Sequence, residues 1–538
     1  MGGYMKSKFC FFLCFILPGL GVISPMAHAQ HNKSLPNILF CLADDASVQH
    51  FGAYGSTWVK TPVFDRVARN GLLFRNAYTP NAKCAPSRAS ILTGRNPWQL
   101  EELGNHLAYW PEKYVSVMEL MERNQYAAGS TGKGWAPGVA GNINGKPRQL
   151  TGKVYNGATL KPPASGIRPL DYAANFENFL REKEDNKPFF FWFGSSEPHR
   201  AYEYGSGQRI GKKSTSSIED VPGFWPDTDS VRTDMLDYAL EVEYFDQQIG
   251  KMMAILEARG MLSNTIIVIT SDNGMPFPRV KGFQYEMSNH MPLAIQWTDG
   301  IKKPGRVIDD FVSFIDLAPT FLELSGTKAN TAPHNTPQGR SLTNIFYSEK
   351  SGRIDALRDH ILLGQERHDV GRPDEVGYPI RSIIKDGFMF IKNFEPDRWP
   401  AANPETGYLN TDGGPTKTVI LNANRARPGR NLHWQLCFGK RKAEEFYHIE
   451  KDPECMVDLI HDSEYASRIA SMRRQMLEEL EAQQDPRMFG KGYLFDQYPP
   501  TEGKDFYDKF LKGQHPKTGW VNPSDYETDP RIIGGKAY

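Results

Sequence analysis

Three apolar runs stand out along the chain because their interiors hold nothing polar: Asn37-Ile-Leu-Phe-Cys-Leu-Ala43, Phe189-Phe-Phe-Trp-Phe193 and Thr265-Ile-Ile-Val-Ile-Thr270. Runs of this kind predict strands buried on both faces, as in parallel sheets. Each one ends in polar chemistry. Asp44-Asp45 follows the first, Ser195, Glu197 and His199 the second, and Ser271-Asp272-Asn273-Gly274 the third. Between the strands the period shifts towards that of a helix. The clearest case is 235–259, where Val242, Phe245, Ile249, Met252 and Leu256 form one stripe and Gly260 closes the segment. Alternating strand and helix predicts an α/β fold with a large, mixed, mostly parallel sheet flanked by helices. In such sheets ligands bind beyond the carboxyl ends of the strands, where these polar groups lie.

Past residue 348 the pattern changes. A short antiparallel sheet that includes 380–393, and a helix over 463–484, predict a smaller C-terminal domain over 349–538. The larger domain spans 30–348. Two domains are also what 538 residues lead one to expect. Irregular stretches at 141–170, 204–229 and 401–430 are candidates for pocket loops, and the polar, aromatic tail at 490–538 is expected to wrap the surface. No internal repeat or low-complexity linker is present.

Lys6 and Lys8, the apolar run 9–23 and Ala27-His28-Ala29 form an export signal, residues 1–29, cleaved after Ala29. The run is too short for a good membrane span, so the expected location is periplasmic or secreted. Cys41, Cys84, Cys437 and Cys455 remain after cleavage. Cys41 reads as a packed thiol within its strand, and spacing leaves open whether Cys437 and Cys455 pair. Lys+Arg and Asp+Glu number 63 each, which argues against nucleic acid or an anionic membrane as partner. An anionic ligand must therefore be met by a local cluster.

Asp44, Asp45, Asp272 and Asn273 offer only oxygen donors, a set that suits calcium before magnesium and disfavours zinc. The most specific segment is Cys84-Ala-Pro-Ser-Arg88-Ala-Ser-Ile-Leu92-Thr93-Gly94. A helix is expected to begin at Pro86 and Ser87, turning unpaired N–H groups and the positive end of its dipole towards an anion beside Cys84. Arg88 adds a positive fork. The loop of a cysteine phosphatase needs a longer spacer than the three residues between Cys84 and Arg88.

This segment resembles the signature of the formylglycine-dependent sulfatase family, C-x-P-S-R-x-x-x-L-T-G. The resemblance extends to Phe314-Ile-Asp-Leu-Ala-Pro-Thr320, Gly339-Arg-Ser-Leu342 and Glu445-Phe-Tyr-His-Ile-Glu-Lys-Asp-Pro453. It implies an alkaline-phosphatase-like fold. It also implies that a dedicated maturation enzyme converts Cys84 to formylglycine, and that Asp44, Asp45, Asp272, Asn273 and the residue at 84 hold calcium. Arg88 would hold the modified side chain. Lys133, in Thr131-Gly-Lys-Gly-Trp135, and Lys281 would bind sulfate, and His199, in Glu197-Pro-His-Arg200, would protonate the leaving group. Trp135 stands where many members carry a second histidine, whose part His106 is a candidate to take.

Within the family, Asp272-Asn-Gly-Met-Pro-Phe-Pro278, Glu197-Pro-His-Arg200 and Arg367-His-Asp-Val370 with Tyr378-Pro-Ile-Arg381-Ser382 are similar to the N-sulfoglucosamine sulfohydrolase branch, which includes bacterial polysaccharide sulfatases. The implied partner is a sulfated carbohydrate, an algal polymer such as ulvan or a glycosaminoglycan, desulfated from its end. N-sulfate hydrolysis is the alternative. A phosphoester hydrolase of the same superfold and a non-catalytic sugar-binding protein are the rival classes. His106, Trp135, Tyr109, Arg367, His368 and Arg372 are the expected sugar-facing residues.

Overall fold

The three apolar runs form adjacent strands, and the reason they carry no alternation is visible in their packing. In the computed structural model, which describes residues 1–2, 4–5, 7–8, 35–329, 332–514, 516 and 518–534, strand Asn37–Ala43 lies between Thr265–Ser271 and Phe189–Gly194, parallel to both. Leu39, Cys41 and Ala43 enter one apolar layer, while Ile38, Phe40 and Leu42 enter the layer on the opposite face. Neither face meets water, so each position must be apolar. The expected export signal, 9–23 with Ala27-His28-Ala29, lies outside the described residues. Among the described residues, no helix is long and apolar enough to cross a membrane.

Ala127–Gly132 joins the parallel set beside Phe189–Gly194, and the full sheet has eight strands, with antiparallel Leu293–Gln296 making it mixed. Helix Asp229–Ala258 covers one face through Val242, Phe245, Ile249, Met252 and Leu256, and Gly260 follows with φ +65°. On the other face lies helix Cys84–Thr93, all ten of whose residues are buried. It begins two residues earlier than the sequence indicates, at Cys84 rather than Pro86. Proline within a first turn removes an N–H that has no intrahelical partner, so the helix can start ahead of it.

Both sheets belong to one compact unit, Leu35–Tyr538. The second is antiparallel, in the order His360–Gln365, Ile380–Lys385, Phe388–Asn393, Glu444–His448. Its central hairpin turns at Asp386-Gly387, both at positive φ, 49° and 76°, matching the right-handed twist of the strands. Helix Ala466–Ala482 packs Ile469, Met472, Met476 and Leu480 on this sheet, and Trp98, which follows the signature helix, enters the same core. Cys437 and Cys455 are buried free thiols, as is Cys41.

Phe191 is fully buried in the central sheet between Phe176 and Phe179. Phe191→Ala is expected to cost about 3–5 kcal/mol of stability, read as a shift in the denaturant midpoint.

Candidate active site

Four neighbouring parallel strands deliver their following residues to one end of the sheet: Asp44-Asp45, Asp272-Asn273, Lys133 and His199. The strand ends fit only because two positions lack side chains. A Cβ on Gly194 would sit 1.8 Å from the Lys133 carbonyl oxygen, and one on Gly132, at φ +77°, would sit 2.0 Å from that of Gly194. Lys133 therefore leaves its strand pinned, its N–H donating to the Gly194 carbonyl at 2.7 Å.

Cys84 occupies the first turn of its helix, 1% exposed, with Sγ 3.3 Å from Asp44 Oδ1 and 3.8 Å from Asp45 Oδ1. The ligand atoms of Asp44, Asp45, Cys84 and Asp272 all lie within 4.8 Å of one another. Cations brace this cluster. Lys133 Nζ donates to Asp44 Oδ2 at 2.6 Å, and Lys281 Nζ to Asp45 Oδ2 at 2.7 Å and Asp412 Oδ2 at 2.9 Å. Arg88 donates from Nε to Asp272 Oδ2 at 2.8 Å and from Nη1 to the carbonyls of Lys133 and Gly134 at 2.8 and 2.9 Å. Its fork thus ties the signature helix to the metal-type carboxylates and the lysine loop, rather than opening onto free space beside Cys84.

The electrostatics are those of crowded, desolvated charge. Burial would raise the Asp44 carboxyl, but Lys133 and Arg88 outweigh it and hold it well below the usual range. Burial pushes Asp272 up to about 7, against the pull of Arg88 and with the repulsion of Asp44 and Asp45. Burial, then Asp44, pushes the Cys84 thiol well up. Asn273 donates from Nδ2 to Asp45 Oδ1 at 2.7 Å while its buried Oδ1 has no hydrogen-bond partner. Clustered carboxylates with an orphaned amide oxygen fit a hard cation. His199 Nδ1 donates to the Arg200 carbonyl at 2.7 Å, so Nε2 is the nitrogen left towards the site, 3.8 Å from Asp45 Oδ2.

Chain residues 36–327 match the family model described as Sulfatase. The chain belongs to the sulfatase family. It is a sulfuric ester hydrolase, 28% identical over 82% of its length to human N-sulphoglucosamine sulphohydrolase, 89% of which is covered. An ulvan-active sulfatase of Formosa agariphila is 23% identical over 82% of this chain and 74% of that one. Among solved structures, one titled as a complex with its substrate D-glucosamine-2-N,6-O-disulfate shares the fold with a TM-score of 0.62, at 19% identity over 84% of this chain and 98% of that one.

The expected sugar-facing residues of this sulfatase divide. His106 lines a cavity of about 300 Å³ beside Cys84, Lys133, His199 and Lys281. Trp135 does not face it. Its indole N–H donates to the Ala85 carbonyl at 3.0 Å and its ring meets Trp110 edge-on, so it braces the signature helix. Tyr109 is exposed and does not line the cavity. Arg367, His368 and Arg372 are almost fully buried and do not line it. Arg367 donates to the Tyr498 carbonyl at 2.7 Å, and Arg372 to those of Trp399 and Pro400, both at 2.8 Å. His368 is clamped between the Gly282 carbonyl and Asn81, behind Lys281.

The segment does reach the cavity, but through its next residue, Asp369. Asp369, Lys83 and Asp412 line it too, outside the residues that the sequence motifs mark as site residues. Lys83 could have been found by its place next to Cys84, and Asp412 by its place in the 401–430 loop.

Arg367 Nη1 is held by a backbone carbonyl, its buried Nη2 has no partner, and the side chain lies off the cavity wall. Arg367→Ala should lower stability by about 1.5–3 kcal/mol in equilibrium unfolding. The ratio of kcat/KM on a sulfated sugar to that on an aryl sulfate should stay unchanged.

Proposed function

We propose that this protein is an exported sulfatase that removes sulfate from a sulfated oligosaccharide or polysaccharide, with formylglycine at position 84 and calcium at the Asp44-Asp45-Asp272-Asn273 cluster. The observation that carries the reading is that cluster: three carboxylates drawn around Cys84 Sγ, the unpartnered amide oxygen of Asn273, which bonds Asp45 through Nδ2, and Lys133 and Lys281 closing on the carboxylates. In this reading Sγ stands in for the reacting oxygen of the modified side chain. Human N-sulphoglucosamine sulphohydrolase and the ulvan-active sulfatase, both matched over most of this chain, support a saccharide as substrate. The 28% identity to the former keeps N-sulfate hydrolysis as the second reading.

Calcium held by Asp44, Asp45, Asp272, Asn273 and the side chain at 84 would supply positive charge to a sulfate oxygen, and formylglycine would supply the oxygen nucleophile. The chain's own residues do the rest. Lys133 and Lys281, each salt-bridged to a ligand carboxylate, are placed to bind the remaining sulfate oxygens as negative charge spreads over them. Arg88 keeps Asp272 and the Lys133 loop in register. His199, its Nδ1–H fixed on the Arg200 carbonyl, turns Nε2 to the departing sugar oxygen or nitrogen and passes it a proton from the imidazolium form. Exo action on an oligosaccharide, export to the periplasm or the exterior, and a formylglycine-generating maturation enzyme as partner belong to the same proposal.

Peptide mass analysis of active protein should find formylglycine at 84. Cys84→Ala should abolish sulfate release while leaving the unfolding transition in place, and full activity in that variant would end the proposal. Asp44→Ala or Asp272→Ala should lose bound calcium and activity together, each removing a charged ligand oxygen. Stoichiometric zinc in elemental analysis would contradict the ligand assignment.

A further inference from the structure

With Arg367, His368 and Arg372 turned away, the wall of the cavity beside Cys84 comes from elsewhere. Glu502, Thr518 and Trp520, all from the C-terminal tail, line it together with His106 and Asp369. Its volume of about 300 Å³ lies at the low end of the range for small-molecule sites, about 300–1,000 Å³. Trp520 is partly exposed, and its indole N–H donates to the Leu409 carbonyl at 2.9 Å, which fixes the ring in the wall. Such a ring presents a large apolar face anchored by its polar edge.

The polar part of the wall is ordered by a buried chain. Asp369 receives Lys83 Nζ at 2.7 Å and His106 Nδ1 at 3.0 Å. Burial would raise Asp369, but the Lys83 ammonium, helped by the hydrogen bond from His106, outweighs it and keeps it ionised. Burial draws His106 down to about 4 in spite of Asp369, so the ring is neutral near pH 7. Its single proton sits on Nδ1, towards the carboxylate. Nε2 is then a bare acceptor, buried and without a partner in the protein, in a residue only 7% exposed. Thr518 Oγ1, on the same wall, is also without a partner. Buried polar atoms left in this state beside a cavity fit a hydrogen-bonding ligand.

We propose that the C-terminal tail is the sugar-recognition wall of this site, with Trp520 as the platform on which the sulfated ring stacks and His106 Nε2 as acceptor for a hydroxyl or amine of that ring. Asp369 is a positioning residue that sets the tautomer of His106. The inference rests on the sulfatase reading and narrows its substrate class to a neutral or amino sugar carrying the sulfate. A ring carboxylate would face Glu502, Asp412 and the Nε2 lone pair, while Lys83 is paired with Asp369 and the proposed reading gives Lys133 and Lys281 to the sulfate itself.

The test uses the full-length, formylglycine-bearing enzyme and measures sulfate release from a sulfated hexosamine and from a sulfated uronic acid. Trp520→Ala should raise KM for the hexosamine about tenfold or more with kcat held within about threefold, the pattern of lost ground-state binding. Trp520→Phe, which keeps an aromatic face without the N–H, should stay within about threefold of the parent. Trp520→Leu separates stacking from packing: it should melt with the parent yet match Trp520→Ala in KM. Asp369→Asn should raise KM as His106→Ala does. An unchanged KM in Trp520→Ala or Trp520→Leu, or equal turnover of uronate and hexosamine sulfates, overturns this inference and leaves the sulfatase reading standing. A parent enzyme that releases sulfate from no sugar overturns both.

Discussion

The structure turns on charge held out of water. Asp44, Asp45 and Asp272 lie within a few ångströms of each other, all but fully buried, and such a grouping survives only if opposite charge is fixed against it. Arg88, Lys133 and Lys281 supply that charge from three different parts of the chain, and each is itself held. Arg88 is bonded to two backbone carbonyls, Lys133 leaves a strand whose end is locked at Gly132 and Gly194, and Lys281 shares its ammonium between Asp45 and Asp412. The result is a rigid, charged recess at the end of an otherwise apolar sheet. Rigid polar surroundings of this kind need little reorganisation when charge develops on a bound anion.

The sheet is what makes the recess possible. Its central strands are apolar on both faces, so the only places where charge can gather are their ends, and parallel pairing brings those ends to one side. The antiparallel sheet plays a different part. It joins the signature helix through Trp98, and its first loop passes behind Lys281 before presenting Asp369 to the cavity.

Much of this was legible in the chain itself. Uninterrupted apolar runs fixed the central strands, since nothing but double-sided burial explains Phe189-Phe-Phe-Trp-Phe193. Asp44, Asp45, Asp272, Asn273 and Cys84 were legible because each follows a strand or opens a helix within a short, specific motif. The rest of the cavity wall was not. Arg367 and His368 are chemically suited to contact a sulfated sugar, yet one residue of offset along an irregular loop decides which side chain points inward, and neither periodicity nor motif records that offset. Glu502, Thr518 and Trp520 lie far from the signature in sequence, and only the path of the tail brings them back to it.

The burial of Cys84 carries a consequence for chronology. Its side chain is closed off by Asp44, Asp45 and the packed first turn of its own helix, at 1% exposure. In the proposed reading a modifying enzyme has to reach this thiol, and its neighbours Lys83 and Ala85 are as deeply buried as Cys84 itself. Any rewriting of this cysteine therefore belongs to the interval between synthesis and folding. A molecule that folds first is committed to an unmodified thiol for as long as it stays folded. Under the proposed modification of position 84, the fraction of working protein is set by a race, won or lost before the active site exists.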